Sequence, residues 1–167
     1  RPDCMMSATS TLLIAWHSRT GASEALARAA ADAGGERARL MKASDVQPSD
    51  LLDAAAYLFV CPENLATMSG MMKEMFDRCY YPVLGRIEGR PYATIIAAGS
   101  DGEGAQRQID RIAKGWRLRR VVDPLIVKTD ARSSEEILAP KAPTELQLAN
   151  AAELGEALSE GIALGVF

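Results

Sequence analysis

Short apolar runs alternate with helical patterns along most of the chain, and this alternation constrains the fold more than any other feature. Five runs are predicted to be β-strands: residues 11–16, 37–44, 55–61, 92–98 and 121–127. The first has no polar face, as expected for a strand that is covered on both sides. Helical patterns follow each run, at 22–33, from 48, from 69, at 103–114 and at 144–164. The alternation predicts an α/β fold with a parallel sheet and helices on both faces.

Composition and charge exclude several classes of protein. The 167 residues fit one domain, and we expect a lead-in over residues 1–10 followed by a single domain over 11–167. A net charge of −3 argues against a nucleic-acid partner, and no apolar run reaches the roughly 18–20 residues that cross a bilayer. The three cysteines, Cys4, Cys61 and Cys79, are too scattered for a disulfide framework or a metal site. Without a segment of signal-peptide type, we expect a cytoplasmic location.

Three loops are candidates for a binding site, because ligands of such sheets lie at the carboxyl ends of the strands. The loops at 17–23, 62–69 and 99–104 follow the first, third and fourth strands and are rich in small, hydroxylated or glycine residues. The topology brings all three to one edge of the sheet. We interpret the stretch 133–143 as a linker before the last helix.

The first loop places small hydroxylated residues between a strand and a helix. A helix N-terminus carries unpaired N–H groups and a partial positive charge, which favour an anion. Ser18, Thr20 and Ser23 add hydroxyl donors, and Gly21 permits close backbone approach. The loop has neither the lysine of a nucleotide-hydrolase phosphate loop nor the GxGxxG spacing of dinucleotide folds. Alternatively, Thr20 with Ser23 or Glu24 could form a simple capping box.

All three loops resemble motifs of one family. The pattern S-x-T-G-x-S at 18–23 resembles the phosphate loop of the flavodoxin-like family, which binds the terminal phosphate of FMN. The segment CPENLATMSGMMKEMFDR, from Cys61, resembles P-x-x-x-x-x-M-S-G-x-x-K-x-x-x-D of the NAD(P)H-dependent FMN and quinone reductase branch. AGSDGEGAQRQI, from Ala98, resembles the family's glycine-rich flavin loop. The resemblance covers roughly residues 11–127.

The resemblance implies a fold and a set of cofactor-binding residues. The fold is a flavodoxin-like three-layer α/β/α sandwich with a five-stranded parallel sheet in the order 2-1-3-4-5. The phosphate loop would contribute Ser18, Arg19, Thr20, Gly21, Ala22 and Ser23. Along the flavin ring and ribityl chain would lie Pro62, Glu63, Asn64, Leu65, Thr67 and Met68. The third loop would contribute Gly99, Ser100, Asp101, Gly102 and Gly104.

Departures from the family pattern favour a reductase. Electron-carrying flavodoxins usually clamp the flavin between aromatic rings, whereas the second and third loops here contain no aromatic residue, and Leu65 and Asp101 stand in those stretches. An open flavin face can admit a nicotinamide or a quinone. We therefore expect hydride transfer from NAD(P)H, as co-substrate, through FMN to a quinone, flavin or similar acceptor. The alternative is a flavodoxin-type single-electron carrier.

The cofactor would supply this chemistry, so no catalytic side chain and no metal site is expected. Backbone N–H groups near Asp101–Gly104 are expected to stabilise negative charge on the reduced ring. His17 is expected to lie beside the phosphate loop rather than act as a base. The basic run at 111–120, five residues in ten, is expected to be a solvated helix end, the alternative being a site for the 2′-phosphate of NADPH.

An uncovered flavin beside a methionine-bearing helix also predicts assembly. Contiguous apolar surface near a site marks an interface, and twofold symmetry is the commonest way to cover it. We expect the methionine-rich face of this helix to be core, with part of it free to serve an interface. We expect a homodimer or homotetramer with contacts in residues 68–81, and Met72 as an outward-facing residue, the alternative being that Met72 faces the core.

Overall fold

A central sheet organises the part of the chain that the computed structural model describes, residues 10–167. The expected lead-in therefore lies almost wholly outside the described residues. The strands are β1 Leu12–Trp16, β2 Ala38–Lys42, β3 Ala56–Asn64, β4 Thr67–Met68, β5 Pro91–Ala98, β6 Arg119–Arg120 and β7 Leu125–Lys128. The α-helices are α1 Ala22–Gly34, α2 Pro48–Asp53, α3 Gly70–Val83, α4 Glu103–Gly115, α5 Ser134–Leu138 and α6 Glu145–Leu164.

The strand order confirms the predicted topology. β1 lies between β2 and β3, and β5 follows β3, all in parallel. The predicted fifth strand occupies its expected edge position but forms two pieces, because β6 pairs with the start of β5 and β7 with its end. Pro124, which cannot donate to a ladder, lies in the break between them. The short β4 is an addition that pairs antiparallel with β3.

Two apolar layers flank the sheet and confirm the three-layer α/β/α arrangement. Alternate residues of β3 point to opposite sides, so that Leu58 belongs to one cluster and Phe59 to the other. The first cluster is covered by α1 and α6, through residues such as Leu26 and Leu158. The second is covered by α2, α3 and α4, whose contributions include Ile109. Within residues 10–167, no helix is both long and apolar enough to traverse a bilayer.

Helix α3 presents its predicted apolar face to the sheet rather than to a partner. Met72 is 0% exposed and packs with Met75, Phe76 and Cys79 in the second cluster. The expectation that Met72 faces outward is therefore wrong, because the spacing of three and four that predicts the helix puts all four residues on one face. Met71, one position earlier, is the exposed methionine of this helix.

Candidate functional site

The carboxyl ends of β1, β3 and β5 meet at one edge of the sheet and border a cavity of about 60 Å³. The predicted site residues that line it are Ser18, Arg19, Thr20, Ala22, Ser23, Pro62, Glu63, Asn64 and Gly99. Predicted residues that do not line it are Gly21, Leu65, Thr67, Met68, Ser100, Asp101, Gly102 and Gly104. The structure thus brings the first loop together with the start of the other two.

The loop between β1 and α1 is shaped by Gly21, which occupies the N-cap position. Its φ of 105° is a left-handed conformation that glycine adopts without steric cost. Ser18 Oγ accepts a hydrogen bond from the Gly21 N–H at 3.1 Å. No side chain caps α1, and Glu24 pairs instead with Arg28 at 3.2 Å. The capping-box alternative for this loop is therefore wrong.

Ser23 carries the clearest sign of a ligand. Its side chain is 1% exposed and lines the cavity. Among the described residues, its Oγ is the one buried side-chain polar atom without a hydrogen-bond partner. Leaving such a hydroxyl unpaired costs about 1–3 kcal/mol. A ligand oxygen in the cavity would satisfy it, at the N-terminus of a 13-residue helix that favours negative charge.

The second loop forms a tight hairpin between β3 and β4. Glu63 pairs with Met68 and Asn64 with Thr67, leaving Leu65 and Ala66 as the turn. Both turn residues have positive φ, 51° and 65°, a conformation that hairpin turns usually assign to Asn or Gly. Leu65 is 98% exposed at the tip. The hairpin therefore projects an apolar side chain into solvent beside the cavity.

Glu63 joins this hairpin to the third loop. Its carboxylate accepts hydrogen bonds from the N–H groups of Gly102, at 2.9 Å, and Ala105, at 3.1 Å. The N–H of Glu103 donates to Asp101 Oδ1 at 3.3 Å. We expected N–H groups here to stabilise a reduced ring; for Gly102 and Glu103 that expectation is wrong, because carboxylates already accept from them. Glu63 instead stabilises the N-terminus of α4.

A close backbone contact holds the same two loops together. A Cβ atom at position 104 would lie 2.0 Å from the carbonyl oxygen of Ala66, so only glycine fits there. The N–H of Met68 also donates to Gln108 Oε1 of α4 at 2.9 Å. The hairpin and the start of α4 are therefore packed directly against each other.

The segment after β7 supplies a wall that the sequence analysis missed. Thr129, Ala131, Ile137 and Lys141 line the cavity, as do Ala97 and Ala98 at the end of β5. The N–H of Lys141 donates to the carbonyl oxygen of Thr20 at 2.7 Å. The supposed linker at 133–143 is thus wrong in part, since it contains α5 and packs on the first loop. Ser133 and Glu136, spaced as in a capping box, are the local signal that could have indicated α5.

His17 lies at the end of β1 and is half-buried. Its ring Nδ1 is 2.8 Å from Ser69 Oγ. The backbone N–H of His17 donates to the carbonyl oxygen of Val60 at 3.0 Å. Burial, with a smaller effect of Arg19, lowers the pKa of His17 below its usual 6.5. His17 therefore ties the first loop to the start of α3 in the neutral form at pH 7.

Cys61, Cys79 and the basic run do not line the cavity. Cys61 is fully buried, and burial raises the pKa of its thiol to about 12, so it stays protonated. Cys79 is also buried. No residue of the run 111–120 lines the cavity, and Arg120 pairs with Asp110 at 3.1 Å.

Similar proteins are found by structure rather than by sequence. No protein-family model and no curated protein sequence matches the chain. A flavodoxin from the domain Archaea superposes with a TM-score of 0.74 at 17% identity, covering 92% of this chain and 99% of that chain. The flavodiiron protein from Giardia intestinalis gives 0.74 at 18% identity, covering 93% of this chain and 37% of that chain. A flavodoxin, WrbA-like protein from Agrobacterium tumefaciens gives 0.71 at 13% identity, covering 93% and 99%. The chain therefore has the flavodoxin-like fold.

Proposed function

We propose that this chain is an FMN-binding redox protein that accepts a hydride from NAD(P)H and passes the electrons to a quinone, a flavin or a similar acceptor. The observation that supports the proposal most is the buried, unpaired hydroxyl of Ser23 on the wall of the cavity. The fold, shared with flavodoxins and a WrbA-like protein, supports it further.

The residues that line the cavity offer donors suited to the phosphate end of FMN. The cavity of about 60 Å³ has room for ordered polar groups. Ser23 Oγ has a hydrogen to donate, and so does Ser18 Oγ, which only accepts from Gly21. Thr20 and Arg19 add a further hydroxyl and a positive charge on the same wall.

The remainder of FMN is too large for the cavity and would lie beyond it. The proposed contacts of Leu65, Thr67, Met68, Ser100, Asp101, Gly102 and Gly104 with the flavin concern that outer part and stay predictions. The absence of aromatic residues from 62–68 and 99–104 supports a ring that a second substrate can reach.

The chemistry of the proposed reaction belongs to the cofactor, since FMN when bound accepts a hydride and releases electrons to an acceptor. The protein holds the phosphate through hydroxyl and backbone donors and orients the cofactor. Glu63 is engaged with α4 and His17 with Ser69, so neither carboxylate nor imidazole is assigned to proton transfer. No catalytic side chain is proposed.

Assembly into a homodimer or homotetramer remains part of the proposal. Met71 and Tyr81, 43% and 79% exposed on the outer side of α3, replace Met72 as candidate contacts. Charged residues of the same helix pair with each other, as Lys73 does with Asp77.

A flavodoxin-type single-electron carrier is the second candidate, favoured by the full-length superposition on the archaeal flavodoxin. Anaerobic mixing of the FMN-loaded protein with NADH or NADPH separates the two. A reductase loses its oxidised-flavin absorbance rapidly with one of the nucleotides. A carrier keeps that absorbance with both nucleotides and loses it only with a chemical or photochemical reductant. Failure of purified protein to change the fluorescence of added FMN would refute both.

A further inference from the structure

The outer side of α4 and the turn after it carry a dense positive charge. Every exposed residue from 104 to 120 is basic, and these are Arg107, Arg111, Lys114, Arg117, Arg119 and Arg120. The segment has six basic residues and one acid, hence +5 in a chain of −3, so the remaining residues carry −8. We term the three that lie on α4 itself, at 107, 111 and 114, the basic face.

The basic face has no carboxylate partner within the described residues, 10–167. No ion pair of this part of the chain includes Arg107, Arg111 or Lys114. The acid of the same helix, Asp110, already accepts hydrogen bonds from Tyr92 and Arg120. The charges of the basic face are therefore available to a second molecule.

Helix α6 carries the opposite charge. Its sequence, ELQLANAAELGEALSEGIAL, holds four glutamates and neither lysine nor arginine. Glu153, Glu156 and Glu160 are exposed, and their spacing of three and four puts them on one side of the helix. We term these three the acidic face. In the described part of the chain, none of them forms an ion pair either.

The two faces match in spacing when one helix is read backwards. Positions 107, 111 and 114 are separated by four and three residues, as are positions 160, 156 and 153. Each face therefore extends about 10 Å along its helix. Antiparallel packing of α4 against α6 would bring three opposite charges together: Arg107 with Glu160, Arg111 with Glu156 and Lys114 with Glu153.

A single copy of the chain cannot join these faces. Helix α4 covers the second apolar cluster and α6 covers the first, so the two helices lie on opposite sides of the sheet. For the same reason, a twofold dimer cannot use both contacts at once. A contact between the two faces leaves a free face at each end of the pair, and association is head to tail.

We infer that the basic face of one copy docks on the acidic face of another copy of this chain, and that this contact propagates beyond the dimer. Exposed ion pairs are individually weak and are screened by salt, so the association is reversible and favoured by low ionic strength. It uses a different surface from the contacts proposed for Met71 and Tyr81. It does not depend on bound FMN.

Sedimentation equilibrium of the wild-type chain at increasing concentration, up to about 1 mM, tests the association. In about 20 mM NaCl we expect species larger than the dimer. In about 300 mM NaCl the association should weaken at least about tenfold, because the charges are screened.

Charge reversal identifies the surfaces. Arg111→Glu with Lys114→Glu reverses the basic face, and Glu153→Lys with Glu156→Lys reverses the acidic face. All four side chains are exposed, so the core stays intact, and circular dichroism verifies the fold. Either double variant alone presents like charges on both faces and should associate at least about tenfold more weakly than the wild type. An equimolar mixture of the two should restore association, since each reversed face then meets an opposite charge.

Arg86→Glu with Lys128→Glu is the matched control. It makes the same change in net charge at exposed residues outside both faces and should leave the association within about threefold of the wild type. An equal loss in this control, a mixture that does not regain association, or a wild type that remains monomeric at low salt would each overturn the inference. Loss of FMN binding would instead refute the proposed function and leave this inference unaffected.

Discussion

Replacing Ser23 with alanine should stabilise the empty protein and weaken its binding of FMN. The hydroxyl is buried without a partner, so its removal recovers the cost of an unsatisfied polar group, about 1–3 kcal/mol. A chain of this size gains about 2–4 °C in Tm for each kcal/mol. We therefore expect the cofactor-free variant to unfold at least about 2 °C above the wild type.

The same substitution should lower affinity for the phosphate. A hydrogen bond to a charged group contributes about 1.5–3 kcal/mol, so Ser23→Ala should bind FMN about tenfold or more weakly. Riboflavin, which lacks the phosphate, should bind both proteins alike. Differential scanning fluorimetry without ligand measures stability, and fluorescence titration with FMN and riboflavin measures affinity.

Ser159 is a matched control for this prediction. It is a buried serine of α6 whose Oγ donates to the carbonyl oxygen of Gly34 at 2.7 Å. Ser159→Ala removes a satisfied donor, so it should destabilise the protein by about 1 kcal/mol without touching FMN affinity. If Ser23→Ala and Ser159→Ala lower Tm alike, or if Ser23→Ala leaves FMN binding unchanged, the reasoning about the unpaired hydroxyl is refuted.

Three further predictions concern the first loop, α3 and the single histidine. Thr20→Val should weaken FMN about tenfold or more but riboflavin far less; equal losses in titration would place the phosphate elsewhere. Met71→Glu should dissociate an oligomer in sedimentation while the subunit stays folded, whereas Met72→Glu should unfold it by circular dichroism, because Met72 is 0% exposed; a wild type that sediments as a fully active monomer contradicts the assembly. The pKa of His17 in the folded state is lowered from 6.5. The unfolded chain therefore binds the proton first, and the free energy of unfolding should fall as pH drops below about 6.5. Chemical denaturation across pH should show a smaller fall for His17→Gln, and an unchanged fall would contradict this assignment.

The elements of the fold follow from local patterns, and so they could be predicted. A buried parallel strand such as β3 has no polar face, and the spacing of three and four in α3 identifies both the helix and its buried side. Pro124, which cannot donate to a ladder, accounts for the break in the last strand. Met72 shows the limit of this reasoning: the helical spacing left open whether Met72 faces outward or faces the core, and the structure places it in the core.

The missing parts of the site depend on contacts between distant residues. Lys141 donates to Thr20 from the far end of the chain, and no periodicity near either residue encodes that bond. The resemblance to the family segment assigned Glu63 to the flavin, but two backbone donors of α4 already bind the carboxylate of Glu63. By contrast, most residues predicted for the loop 18–23 do line the cavity. That loop could be predicted because hydroxyl residues at a strand–helix junction form a local pattern that favours an anion.

The contact between Ala66 and Gly104 has a consequence for how the site can move. These backbones touch, and Glu63 binds α4 from the same hairpin. The hairpin can therefore shift only if the first turn of α4 shifts with it, or if the hydrogen bonds from the Gly102 and Ala105 N–H groups to Glu63 break. A ligand that displaces Leu65 at the tip therefore works against both attachments at once. The hairpin and the start of α4 are therefore expected to move together. Opening the site on this side requires that both shift or that their contacts break.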